Sequence, residues 1–140
     1  MIASHTREHS EYMSEILDKF SRHLETLNYT IERDGGDVRE AQHGDYWNFA
    51  MTEQSGGVLF QSFISVRPGA EAEDVHRFIN AMQSQFIVTR IYLDEDDDVA
   101  IEAWWPLSEY KANGFETFID AWNRDIALMG RHPEVTEILA

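Results

Sequence analysis

The sequence predicts an α+β fold: a two-layer, largely antiparallel five-stranded sheet with helices, in the order α-β-β-β-α-β-β-α. Three observations carry this expectation. Apolar residues recur at helical spacing in three segments, near the start, the middle and the end of the chain. Between them lie runs in which apolar and polar residues alternate, the mark of strands with one buried side. Short turns rich in Gly and Asp join consecutive runs, and tight turns make neighbouring strands antiparallel. A chain of 140 residues, 43% of them hydrophobic, suits one domain, 1–140, with enough apolar surface to offset chain entropy.

The first helix spans about Ser10 to Asn28, with Tyr12, Met13, Ile16, Leu17, Phe20, Leu24 and Leu27 on one side and Asn28 as its stop. A short β-prone piece, Tyr29 to Arg33, follows and ends at Asp34-Gly35-Gly36. Tyr46 to Glu53 alternates, with Trp47, Phe49 and Met51 on one side, and Ser55-Gly56-Gly57 breaks the run. Val58 to Val66 resumes it. The pair reads as a hairpin.

Pro68-Gly69 ends that strand, and Glu71, Glu73 and Asp74 suit the positive end of the next helix. Val75, Phe78, Ile79, Met82 and Phe86 form its apolar stripe. Val88 to Leu93 and Val99 to Trp105 are the last two strands, joined by the acidic turn Asp94 to Asp98. Asn113 and Glu116 have the spacing of a capping box for the final helix, whose stripe is Phe115, Phe118, Ile119, Trp122, Ile126 and Met129. Gly130 and Pro133 end it.

Charge narrows the function classes. There are 26 acidic residues against 11 Lys plus Arg, a net charge of −15. Such a field repels nucleic acid and anionic membrane surfaces, and it attracts basic segments. With no cysteine there is no disulfide framework, thiol catalysis or Cys-type zinc site. The first residues, Met1 to Glu8, lack the apolar core of a signal peptide, and no apolar run reaches bilayer-spanning length. The expected location is the cytoplasm, with no nucleic-acid or membrane partner.

Two near-motifs invite metal chemistry. His5-Thr6-Arg7-Glu8-His9 has the His-x-x-Glu-His spacing of inverted zinc peptidases, yet no neighbouring sequence builds a substrate cleft. It reads as a solvated first helical turn. Asp94, Asp96 and Asp98 have the odd-position spacing of a calcium loop, but Val99 and Trp105 stand where that loop requires Gly and Glu. It reads as a solvated hairpin turn. No Gly-x-Ser-x-Gly elbow and no phosphate-cradling loop occurs. The expectation is therefore no enzyme, no catalytic residue, no cofactor and no metal.

The strands give a subtler signal. If Val58, Phe60, Ile64 and Val66 face the helices, Leu59 and Phe63 face away, and the same logic turns Ala100, Glu102 and Trp104 outward. A face mixing Leu, Phe and Trp with Gln, Ser and Glu suits burial within the chain or in a dimer, or a surface open to a peptide. Leu59, Phe63 and Trp104 are the candidate protein-binding residues. The competing reading is a small-ligand-binding sensory or regulatory domain with a pocket lined by aromatics such as Trp47, Tyr92 or Trp104.

The element order resembles that of class I type III secretion chaperones. Several segments resemble the YbjN family, a bacterial group of type III secretion chaperone-like proteins: Gly57 to Phe63, Val75 to Asn80, Ile91 to Asp96 leading into Val99 to Glu102, and the last helix from Phe115 to Met129. These are patterns of packing and turns, with no catalytic residues to carry over. The resemblance implies no enzyme activity, a homodimer, and a protein client bound as an extended segment, with a link to regulation in the YbjN group. Trp104-Trp105 and the stretch after Gly130 depart from the family pattern.

Overall fold

The computed structural model describes residues 15–33, 36–106 and 111–140. The chain runs through helix α1 (residues 15–26), strands β1 (Thr30–Arg33), β2 (Val38–Gln42), β3 (Phe49–Gln54) and β4 (Gly57–Ile64), helix α2 (Ala72–Gln83), strands β5 (Arg90–Leu93) and β6 (Val99–Pro106), helix α3 (Ala112–Gly130) and the short helix α4 (Val135–Ile138). The six strands are hydrogen-bonded in the order β1-β2-β3-β4-β6-β5. The pairs β1–β2, β2–β3 and β5–β6 are antiparallel. An α+β fold with a largely antiparallel sheet is therefore present, with six strands rather than five.

The additional strand is β2, Val-Arg-Glu-Ala-Gln. Its inward positions are Arg39 and Ala41, both buried, so a cation stands where the alternation needs an apolar residue. The Arg39 guanidinium donates to the Gly36 carbonyl at 3.0 Å and lies 3.6 Å from Asp18 of α1, which also pairs with Arg33 at 3.0 Å. Burial of this cation is tolerated because a backbone carbonyl and a carboxylate face its terminal nitrogens.

The chain forms two compact units. One is built from the described parts of Met1–Phe60 and Trp104–Ala112, the other from Gln61–Ala103 and Asn113–Ala140, so β4 and β6 each pass from one unit to the other. In the first unit, Ile16, Leu17, Phe20 and Leu24 of α1 are buried with Phe49, Met51, Val58 and Phe60. The Phe60 ring meets Phe20 edge-on at 6.2 Å and Phe49 at 5.6 Å. Each such side chain contributes roughly 1.5–3 kcal/mol before entropy is counted. α1 ends as its sequence implies: Asn28 takes a left-handed conformation (φ 73°), its N–H reaches the Glu25 carbonyl, and Tyr29 N–H reaches the Leu24 carbonyl.

The β3–β4 hairpin turns through Ser55 (φ 54°) and Gly56 (φ 80°), the two-residue type I′ loop whose twist matches that of paired strands. This turn fixes the register of β4, so Val58, Phe60 and Ser62 are buried, and Phe63 is exposed. The sidedness expected from the sequence holds for β4. It fails for Trp47, which precedes β3 and is exposed.

In the second unit, Val75, Phe78, Ile79 and Met82 of α2 and the expected α3 stripe are buried. α3 begins at Ala112, which puts Asn113 in its first turn rather than at the cap, with its carbonyl accepting the Thr117 hydroxyl at 3.0 Å. The segment after Gly130 also packs here. Ile138 and Leu139 are buried, Arg67 N–H donates to the Ile138 carbonyl at 2.8 Å, and Ala140 N–H to the Ser65 carbonyl at 2.9 Å. Val66 and Leu139 thereby form an isolated antiparallel bridge.

Candidate functional site

The candidate protein-binding residues divide between the two units. In the first, Leu59 is half-buried on β4 and Trp104 is 45% exposed on β6. Trp104 is held in place: its indole N–H donates to the Gln54 carbonyl at 2.7 Å. Its ring covers Gly57, where a Cβ would collide with the Trp105 carbonyl oxygen and stand 2.8 Å from Trp104 Cε2. An aromatic ring fixed this way loses little rotamer freedom on contact with a partner. In the second unit, Phe63 is 54% exposed although Ser62 beside it is buried.

The polar residues expected on the outward side of these strands satisfy one another. Within the second unit, the Glu102 carboxylate accepts Gln61 Nε2 at 3.0 Å and the Tyr92 hydroxyl at 3.0 Å, and it is paired with Arg90. The Arg90 guanidinium also lies over the Tyr92 ring, 5.0 Å from its centroid. Burial, and after it the hydrogen bond and charge of Glu102, push the Tyr92 phenol above its ordinary value. Glu102 is buried because three donors replace its water. A carboxylate so occupied holds Gln61, Arg90 and Tyr92 in place around it.

Sequence reasoning missed a second buried carboxylate. Asp125 lies on the apolar stripe of α3 and is fully buried. It accepts the N–H groups of Ile87, Val88 and Thr89 at 3.0–3.1 Å and the Thr89 hydroxyl at 3.0 Å. A signal existed in the sequence: position 125 follows Trp122 by three residues and Phe118 by seven, so an acid there had to be buried and bonded.

The Asp94–Asp98 turn is built from its own groups. Asp94 Oδ1 accepts the N–H groups of Asp96 and Asp98 at 2.9 and 3.0 Å, and Asp97 adopts a left-handed conformation (φ 61°). Among the described residues no cluster of His, Cys, Asp and Glu could hold a metal ion. The His5–Glu8–His9 motif lies outside the described residues. Two other histidines serve locally, His43 accepting Asp45 N–H at 3.0 Å and His132 accepting Glu134 N–H at 3.1 Å.

Three concavities of 180–340 Å³ are lined mainly by polar and charged residues: one by Glu32, Arg33 and Glu40, one by Glu71, Asp74 and Arg77, and one by Asn28, Gln42 and Asn48. None of these three takes Trp47, Tyr92 or Trp104 into its lining, the aromatics named for a ligand pocket. Among the described residues no helix is long and apolar enough to cross a membrane.

With this geometry in view, solved structures show the same chain fold. YbjN from E. coli, a proposed transcription regulator, aligns with a TM-score of 0.72 at 15% identity over 89% of this chain and 95% of that one. The fold is YbjN-like. A chain of the heterodimeric complex ExoU–SpcU, from the type III secretion system of Pseudomonas aeruginosa, aligns with a TM-score of 0.59 at 13% identity over 77% of this chain and 92% of that one. No family model matches the sequence, and no curated protein sequence matches it either. The likeness is one of fold, and it agrees with the YbjN and secretion-chaperone resemblance in the helix, strand and turn patterns.

Proposed function

We propose that this protein is a non-enzymatic, chaperone-like protein-binding module that acts as a cytoplasmic homodimer and holds a protein client. The observation that carries this reading is the exposure of two aromatics on strands whose opposite sides build the cores. Phe63 is 54% exposed and Trp104 is 45% exposed. Trp104 is pinned to the Gln54 carbonyl, which makes it a preorganised anchor of the kind that dominates interface energetics. Leu59, half-buried on β4, adds apolar surface in the same unit as Trp104. The net charge of −15 favours clients with basic segments. The likeness to a chain of a heterodimeric secretion complex supports a protein partner, and the likeness to YbjN supports a regulatory setting.

The test combines oligomeric state with client retention. Light scattering on the purified full chain is expected to give a dimer. Cross-linked protein recovered from the source cells is expected to carry one recurrent client, identified by mass spectrometry. Trp104→Ala and Phe63→Asp are each expected to weaken that client at least about tenfold, the effect of losing roughly 1.4 kcal/mol of contact, with the circular dichroism spectrum unchanged. A strictly monomeric protein with no specific client, or variants that bind as the parent does, would overturn the reading.

A further inference from the structure

On the outward side of the first unit's sheet, the register sets Glu32 of β1 directly opposite Glu40 of β2. One residue along, on the side that faces α1, Arg33 and Arg39 are opposed in the same way. Like charges directly opposite one another on a sheet are destabilising. The arginine pair is reconciled by a third residue, since Asp18 of α1 lies 3.0 Å from Arg33 and 3.6 Å from Arg39. The glutamate pair lacks such a counterpart. Both residues are exposed, and among the described residues neither carboxylate takes part in a hydrogen bond or ion pair. They border a concavity of 240 Å³ together with Val38, Ala50 and Arg33, whose guanidinium is committed to Asp18.

We propose that an arginine of the protein client completes this pair, its guanidinium bridging Glu32 and Glu40 as Asp18 bridges the two arginines. The inference rests on the client-binding reading and names the chemistry of what is bound: a basic, extended segment. Arginine fits better than lysine because its planar fork reaches two carboxylates at once, while its aliphatic stem covers Val38 and Ala50. The net charge of −15 steers such a segment toward the chain. The same face supplies an apolar contact. Val38 is opposite Thr52, and the two-residue loop at Ser55-Gly56 sets Thr52 opposite half-buried Leu59. Two strand spacings and two residues of offset place Leu59 about 12 Å from Glu40, and four residues of extended chain span about 13 Å. An arginine and an apolar residue four positions apart, on one side of an extended segment, therefore meet both.

The test is an NMR titration of the isotope-labelled full chain with the acetylated peptide Gly-Arg-Ser-Thr-Ser-Leu-Gly, and with the same peptide carrying neutral citrulline for arginine. The arginine peptide is expected to shift the amides of Glu32, Glu40 and Leu59 and to bind about fivefold more tightly than the citrulline peptide. Glu32→Gln and Glu40→Gln should each weaken it by about threefold to fivefold, and Glu95→Gln, an exposed acid in the other unit, should leave it unchanged. Glu40→Gln should also raise the thermal midpoint by about 1–3 °C, because it removes the like-charge opposition; this pairs a gain in stability with a loss of binding. No binding, equal affinity for the two peptides, or wild-type affinity in both glutamine variants would overturn the proposal. So would a midpoint that falls in both variants, since the carboxylates would then serve an internal partner. A client lost in Trp104→Ala but held by both glutamine variants would overturn this inference and leave the client reading standing. Arginine-selective binding at Glu32 and Glu40 by a protein that retains no client would support the pair and overturn only that reading.

Discussion

Asp125→Ala removes one carboxylate and strands four donors at once: three consecutive backbone N–H groups and the Thr89 hydroxyl. Hydrogen bonds to a charged acceptor contribute roughly 1.5–3 kcal/mol each, which taken singly would sum to about 6–12 kcal/mol. Two terms reduce that figure. Ile87 is 65% exposed, so water can reach its N–H, and alanine no longer bears the desolvation cost of a buried charge. The expected loss is about 3–5 kcal/mol, a large part of a typical stability of about 5–15 kcal/mol. Urea unfolding followed by circular dichroism measures it. With a slope of about 2 kcal/mol per molar, the midpoint falls by roughly 1.5–2.5 M. Asp120→Ala, on the exposed side of the same helix, is the control, with an expected change within about 0.5 kcal/mol. An Asp125→Ala midpoint close to that of the control, with an unchanged slope, would refute the argument that this carboxylate organises residues 87–89.

Three further predictions test local geometry. Asp97→Gly relieves a left-handed residue and one of five adjacent acids, so the thermal midpoint should rise by the equivalent of about 0.5–1 kcal/mol; no rise would mean that the Asp94 side chain, not residue 97, sets the turn. Gly57→Ala drives a Cβ into the Trp105 carbonyl and the Trp104 ring, so stability should fall by about 1–3 kcal/mol and tryptophan fluorescence should shift; unchanged emission would count against the packing described. The raised value of Tyr92 means that folding favours the neutral phenol. The stability it contributes is complete below the ordinary value of 10.0 and is lost as pH rises through the higher folded value. In an ultraviolet phenolate titration Tyr92→Phe should therefore remove a late-ionising component; loss of an ordinary, early component instead would refute the raised value.

The legible part of the fold was the part in which local chemistry and tertiary packing agree. The stripes of α2 and α3 could be read because nearly every buried position is apolar, and the β4 sidedness because Val58 and Phe60 alternate cleanly with Leu59 and Gln61. Asn28 and Ser55-Gly56 announced themselves through their tolerance of left-handed conformations. β2 was hidden by Arg39, a cation whose burial depends on the nearby Gly36 carbonyl and on Asp18 of α1, contacts invisible to a periodicity reading. α4 and the Val66–Leu139 bridge were hidden for a related reason, since the short tail is held by backbone bonds to residues some seventy positions away. Trp104 was legible as an outward residue, but the fit of its ring over Gly57 and its bond to Gln54 arise only when the strands are in register.

The interleaving of the two units has a consequence for how this chain can be cut or recombined. The first unit takes the described part of Trp104–Ala112 from beyond Gln61–Ala103 of the second, and the second is split around that same segment. Neither unit is a contiguous stretch. A single crossover between genes therefore cannot exchange one unit intact, and a fragment ending at Phe60 loses Trp104 and leaves Gly57 bare. During synthesis the hairpin of β3 and β4 emerges early, yet its covering tryptophan follows only after β5 has been made. The chain is thus one inheritable piece despite its two cores, and change in either core has to arise by substitution in place.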